Sequence, residues 1–219
     1  MRKECNKYYL SVEGETEKWY FEHLQDLINE EEKLPFKVKF DIKINKSIIS
    51  RAKSISAPYK IDAFHICDYE SNDDVHQRQF IKVLDELKNV NKINKNIIYK
   101  LGYSNFSFDL WIILHKEQQK RSIPHRKQYV NGINKAYKEN FEFIDDYKEE
   151  KNFKKKILQK IKIEDVITAV NNGNEIRKVN NQNFKNNYRK YGKFEYYTEN
   201  PDLTINECIE KILKECGAI

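Results

Sequence analysis

Tyr8-Tyr9-Leu10-Ser11-Val12-Glu13-Gly14-Glu15-Thr16-Glu17 decides how this chain is read. A short apolar run ends in a carboxylate and a glycine, and a helical pattern opens directly after it. In an open α/β sheet, that order puts an acid at the carboxyl end of a strand, where such sheets carry their chemistry. A second run, Ala63-Phe64-His65-Ile66-Cys67, ends the same way in Asp68-Tyr69-Glu70. One acid at one strand tip and an acid-x-acid pair at another suit magnesium-dependent phosphoryl transfer. Mg²⁺ takes oxygen ligands and is usually held by one or two carboxylates plus substrate phosphates.

Outward from these two tips, the first half alternates between strand and helix. Trp19, Tyr20, Phe21, Leu24, Leu27 and Ile28 recur at helical spacing, and Pro35 closes that helix. Phe36, Val38, Phe40, Ile42 and Ile44 then alternate with polar residues, the pattern of a strand with one exposed face, as at a sheet edge. A short helix over residues 48–56 ends before Pro58. Ser71-x-x-Asp74 offers a cap to a helix whose stripe is Phe80, Val83, Leu84, Leu87 and Val90. Ile97-Ile98-Tyr99-Lys100-Leu101 makes a fourth strand ending at Gly102-Tyr103-Ser104-Asn105, and residues 108–114, apolar all round, make a buried helix. Repeated units of this kind imply an α/β fold: a mostly parallel sheet of about four strands with flanking helices.

Residues 116–219 carry few strand signals. Helical stripes are expected through Ile133, Ala136, Tyr137 and Phe141, and through Phe153, Ile157, Ile161, Val166, Ile167 and Val170. Thr204-x-x-Glu207 opens a last helix with Cys208, Ile209, Ile212 and Leu213. Asn171-Asn172-Gly173-Asn174 reads as a turn. The division is therefore a core over residues 1–115 and a basic, mainly helical region over 116–219 packed on it.

The 219 residues are long enough to bury a substantial core, and 39% hydrophobic with 13% aromatic residues excludes a disordered chain. No apolar run is long enough to span a membrane and none follows Met1 as a signal peptide would, so a cytoplasmic protein is expected, with no membrane contact and self-association left open. Cys5, Cys67, Cys208 and Cys216 have no CxxC spacing, which favours free thiols over zinc or disulfides. Charge is unequally shared: residues 1–115 hold 18 Lys+Arg and 18 Asp+Glu, whereas residues 116–219 hold 22 and 16. The acids suited to a metal and the bases suited to a polyanion therefore lie on different parts of the chain. Basic clusters stand at residues 116–127 and 151–162. A third (Arg177, Lys178, Lys185, Arg189, Lys190, Lys193) is interleaved with Phe184, Tyr188, Tyr191 and Phe194, a mixture that suits phosphate contacts with base stacking. Each cluster also reads as a solvated surface of a lysine-rich chain.

Glu13-Gly14 followed by Asp68-x-Glu70 resembles the catalytic signature of the Toprim domain. Val12-Glu13-Gly14-Glu15-Thr16-Glu17 with Tyr20-Phe21, then Tyr103-Ser104-Asn105, Phe108-Asp109-Leu110-Trp111 and His115, and finally Asn200-Pro201, resembles the RloB family in that order over nearly the whole chain. The chain departs from that family's pattern at Glu70, where the family has aspartate, at Phe106, where it has proline, and at Asp109, where it has glutamate. The resemblance implies a Toprim-like nuclease of a phage-defence, abortive-infection system, paired with an ATPase, and Mg²⁺ or Mn²⁺ as cofactor. It points to Asp68 and Glu70 as metal ligands, with Glu13 completing the metal site or serving as general base.

Several further positions carry two readings. Glu17, one turn after Glu13, is a neighbour of the catalytic acids or a surface acid. His115 is an acid/base group or a structural histidine. Ser104 and Asn105 hold a substrate phosphate or form an ordinary strand-to-helix turn, and Lys116 neutralises a phosphate or ends a helix. Lys185, Tyr188, Arg189 and Lys190 are the expected nucleic-acid contacts, with DNA and RNA undistinguished. No G-x-x-x-x-G-K-[ST] occurs, so ATP binding is left to a partner. Two other classes stay open: a non-catalytic nucleic-acid-binding or regulatory subunit, and a nucleotidyl transferase using the same acids.

Overall fold

The computed structural model describes residues 3–45 and 47–219. The first half alternates as its periodicity requires: β1 (Cys5–Val12), α1 (Glu15–Glu30), β2 (Lys37–Ile44), α2 (Ile48–Ser54), β3 (Ile61–Asp68), α3 (Asp74–Ile93), β4 (Ile97–Asn105) and α4 (Asp109–Leu114). The second half contributes α5 (Tyr129–Tyr137), α6 (Ile144–Lys148), α7 (Glu150–Asn152), α8 (Ile163–Asn183), β5 (Tyr188–Tyr191), β6 (Phe194–Tyr197), β7 (Asp202–Leu203) and α9 (Ile205–Cys216). The main sheet runs β2-β1-β3-β4-β7. Its first four strands are parallel, and β7 lies antiparallel to β4 through Ser104↔Leu203 and Asn105↔Asp202.

The pleat separates two cores. Phe64 and Ile66 of β3, with Tyr8, Leu10 and Val12 of β1, face α1, α4, α8 and α9. Ala63 and Cys67 of β3, with Tyr99, Leu101 and Tyr103 of β4, face α2, α3 and the β5–β6 hairpin. Strands buried on both faces need a continuous apolar run, which explains the sequence of β3. The edge strand β2, by contrast, leaves Ile44 exposed. Cys67, Cys208 and Cys216 are buried free thiols, and Cys5 is exposed.

Several local expectations change. The stretch 171–174 is the middle of α8, not a turn. Gly173 is there because a Cβ would stand 2.7 Å from Asn206 Cβ on α9. Its asparagines make tertiary bonds: Asn172 Nδ2 donates to Leu114 O (2.8 Å) and Asn206 Nδ2 to Asn174 Oδ1 (2.7 Å). The helix expected from Phe153 onward is broken into a π-turn (Phe153–Ile157) and a 3₁₀ turn (Leu158–Lys160) ahead of α8. Thr204 forms no capping box. Its hydroxyl donates to Leu101 O (2.8 Å) and accepts from the Tyr103 amide (3.2 Å), joining the start of α9 to β4. At α3 the cap is Asp73, which accepts from the Val75 and His76 amides. The hairpin was not expected in a region read as helical. Its turn uses Gly192 at φ +60°, a conformation that glycine adopts without steric cost.

Candidate active site

The strand order reverses between β1 and β3, because β2 lies on one side of β1 and β3 on the other. The crevice at such a reversal, outside the carboxyl ends of the strands, is where open α/β sheets bind ligands. Glu13 and Asp68 stand there. The Asp68 amide donates to Glu13 Oε2 at 3.0 Å, so the two tips are tied directly. Glu17 belongs to the same group. A Cβ on Gly14 would lie 3.0 Å from Glu17 Oε2, so the glycine after Glu13 leaves room for the carboxylate one helical turn later.

Two side chains that the sequence reading did not assign complete the cluster. The Phe108 amide donates to Asp68 Oδ1 (2.8 Å), which brings the start of α4 over the β3 tip. The next residue, Asp109, is 1% exposed and accepts from Ser107 Oγ (2.6 Å). Lys148 of α6 reaches in from the second half, with Nζ 3.0 Å from Asp109 Oδ1. An acid within a run otherwise apolar on all sides was the available signal for Asp109, since aspartate is almost never fully buried unless paired. Lys148 sits in an ordinary charged stretch and gave none.

Burial pushes the Asp68 carboxyl well above the usual carboxylate range, with Glu17, Glu13 and Asp109 adding to the rise and Lys148 opposing it. Burial likewise pushes Glu17 up to about 7, against the backbone hydrogen bond and Lys148, and with Glu13 and Asp109. Burial alone would lower Lys148, but Asp109, Asp68 and Glu17 more than offset it and leave the ammonium raised. Lys148 thus pairs with Asp109 and offsets part of the rise at Asp68 and Glu17. Burial outweighs that cation at Asp68 and Glu17, which favours their protonated forms.

The other expected site residues lie elsewhere. Glu70 has φ +65°, a left-handed backbone uncommon for a non-glycine residue, and this turns it out of the cluster. Its carboxylate meets His76 Nε2 (2.6 Å) and, at 4.0 Å, Arg126 Nη1. His115 is 1% exposed. Its Nδ1 faces Trp111 O (2.9 Å), its Nε2 faces the Tyr20 hydroxyl (3.1 Å), and burial lowers its pKa to about 4. Both of its nitrogens are engaged within the core. Ser104 and Asn105 are also buried. The Asn105 Nδ2 donates to Tyr197 O and Thr198 O, both at 3.1 Å, fastening the end of β6 to β4. Lys116 pairs with Asp165 (2.6 Å).

The basic hairpin remains open to solvent. Lys185, Arg189 and Lys190 are exposed, Arg189 donating to the Asn186 and Tyr188 carbonyls and Lys190 pairing with Glu195 (2.9 Å). Tyr188 packs edge-on to Tyr197, with 5.6 Å between ring centroids. The hairpin packs on the β3 face that carries Cys67 and Tyr69, with 6.0 Å between the Tyr196 and Tyr69 ring centroids.

Among the described residues, no group of three or more His, Cys, Asp or Glu is arranged to hold a metal ion. That is compatible with Mg²⁺ or Mn²⁺ held by Glu13 and Asp68 and completed by substrate phosphates, the usual arrangement for Mg²⁺. The donor set is all oxygen, which fits a hard cation. Among the described residues no helix is long and apolar enough to cross a membrane.

No curated protein and no solved structure matches the chain. The family model described as RloB-like protein matches residues 8–212, which span both strand tips, α4, the hairpin and most of α9. The chain therefore belongs to the RloB-like protein family.

Proposed function

We propose that the chain is a divalent-metal-dependent nuclease whose active site is the acid cluster at the tips of β1 and β3. The observation that carries this reading is the gathering of buried acids at the two strand tips: the Asp68 amide binds Glu13, Glu17 and Asp109 act on Asp68, and burial holds the Asp68 carboxyl well above the normal carboxylate range. Buried acids are costly to ionise unless a cation compensates the charge. Bound Mg²⁺ or Mn²⁺ would polarise the scissile phosphate and stabilise the attacking or leaving oxygen.

Glu13 and Asp68 would hold the cation, and the hydrogen bond from the Asp68 amide to the Glu13 carboxylate ties the two strand tips together. Glu17, with its pKa near 7, takes a proton from the attacking water, since a general base works best when its pKa lies near the operating pH. Lys148 orients Asp109 and offers positive charge to a phosphate oxygen. The exposed cations Lys185, Arg189 and Lys190 offer contacts to the nucleic-acid backbone. The family likeness extends the proposal to a cytoplasmic phage-defence effector that works with an ATPase partner.

A second reading rests on Lys148. An ammonium fixed among the acids is itself a counter-ion, and it favours a binding or regulatory subunit that keeps the fold without the chemistry. Incubating the protein on labelled total RNA and on plasmid DNA, with Mn²⁺ or with chelator, separates the two. Mn²⁺-dependent shortening that is lost in Asp68→Asn supports the nuclease, and intact substrate under all conditions supports the binding subunit.

A further inference from the structure

A cavity of about 570 Å³ opens between α8, residues 118–122 and residues 197–201. The acid cluster described above does not line it. Its floor is preformed. Asn180 Nδ2 donates to Pro201 O (3.0 Å) and Asp202 Oδ1 (2.8 Å), while Asn200 both accepts from the Ile123 amide (2.8 Å) and donates to Ile123 O (3.0 Å). The buried faces of Ile176 and Tyr197 complete this floor. The rim differs: Val179 is 43% exposed and Phe184 is 47% exposed. Two large apolar side chains left in water on the lip of one cavity mark a surface that a ligand covers.

The polar groups of the rim identify the ligand. Among the described residues the Gln118 and Asn187 side chains make no hydrogen bond, and each amide offers a donor beside an acceptor. That pairing matches the edges of nucleobases, which unpaired strands present to proteins while stacking on aromatic rings. Glu175 and Glu199 add acceptors suited to exocyclic amines. Lys120 stands on the lip, a cation available to the phosphate of a bound nucleotide. The volume lies within the roughly 300–1,000 Å³ typical of small-ligand sites.

We propose that this cavity is a nucleobase-binding site, with Phe184 as its stacking platform and the Gln118 and Asn187 amides reading the base edge. The ligand chemistry is one, and it has two sources: a base within single-stranded nucleic acid or a free nucleotide. The proposal rests on the nucleic-acid part of the function proposed above and is independent of cleavage.

The test is equilibrium binding in chelator, where no cleavage takes place. Fluorescence anisotropy with labelled single-stranded ten-residue RNA and DNA probes the first source, and calorimetric titration with AMP, GMP, CMP and UMP probes the second. Phe184→Ala is expected to weaken binding about ten-fold, the size of one base-stacking contact, while Phe184→Tyr keeps wild-type affinity. UMP, lacking an exocyclic amine, should bind most weakly. Loss confined to oligonucleotides identifies the strand as the source, and loss extending to nucleotides identifies the free ligand. Wild-type affinity in Phe184→Ala, or no binding of any nucleobase ligand by the parent protein, overturns the proposal. A change in the oligomeric state of Phe184→Ala by light scattering also overturns it, because the lip would then be a contact between copies. Phe184-dependent binding without Mn²⁺-dependent cleavage removes the nuclease reading and leaves this one standing.

Discussion

The Asp68 amide donates to the Glu13 carboxylate across 3.0 Å, so the acids that end β1 and β3 are held by one hydrogen bond between adjacent strands. Their separation depends on the pairing of β1 with β3 through Tyr9↔Ala63, Leu10↔Phe64 and Ser11↔His65. A one-residue slip of that register would put Glu13 against a different residue and dissolve the cluster.

Stability should depend on pH through Glu17. Its folded pKa, about 7, lies above its ordinary 4.5, so between these values the folded state holds a proton that the unfolded chain has released. Stability from this group is present below about pH 4.5 and falls as pH rises towards 7. Glu17→Gln mimics the protonated form and should stabilise the protein at pH 8 by on the order of 1–3 kcal/mol, with little effect at pH 4.5. Urea unfolding at the two pH values measures this. Equal effects at both would show that Glu17 does not titrate in that window.

Lys148→Met should destabilise the fold by about 1–3 kcal/mol by leaving Asp109 buried without its cation. The loss is smaller than for a fully buried pair because the lysine side chain is 32% exposed. Adding Asp109→Asn should recover most of it. A double-mutant cycle in urea that gives additive losses would show that the two groups do not interact in solution.

Glu70→Gln should leave Mn²⁺ binding and any Mn²⁺-dependent cleavage close to wild type, since the carboxylate is turned to His76 and Arg126. This reverses what the acid-x-acid spacing alone suggests. Abolished metal binding in that variant would mean that Glu70 swings into the crevice when the ion arrives.

Gly173→Ala should cost about 1–3 kcal/mol, because the new methyl would meet the Asn206 side chain and force α8 from α9. An unchanged thermal midpoint would show that the two helices separate at little cost.

The parallel sheet was legible because period-two and period-3.6 patterns are set by burial, and both act strongly on β1, α1, β3, α3 and β4. The second half was less so. Asparagine and lysine dominate there, and local propensity alone reads Asn171 to Asn174 as a turn, whereas tertiary bonds from Asn172 and Asn174 keep it helical. The β5–β6 hairpin carried its own sign, Tyr191-Gly192-Lys193-Phe194 between aromatic alternations, which the lysine run obscured. At the site, Glu13 and Asp68 were readable as strand-tip acids. The turn of Glu70 towards His76 was not readable because spacing cannot reveal a positive φ, and Lys148 was invisible because it reaches the cluster from 80 residues beyond Asp68.

The most direct test of the central claim is calorimetric titration of Mn²⁺ into the protein at pH 7, repeated in two buffers of different protonation enthalpy. One bound ion with release of protons is predicted, because Asp68 and Glu17 give up protons when a cation enters. Binding should be lost in Asp68→Asn and in Glu13→Gln. No bound Mn²⁺, or binding that survives both substitutions, would contradict the assignment of the β1 and β3 tips as a metal-dependent active site.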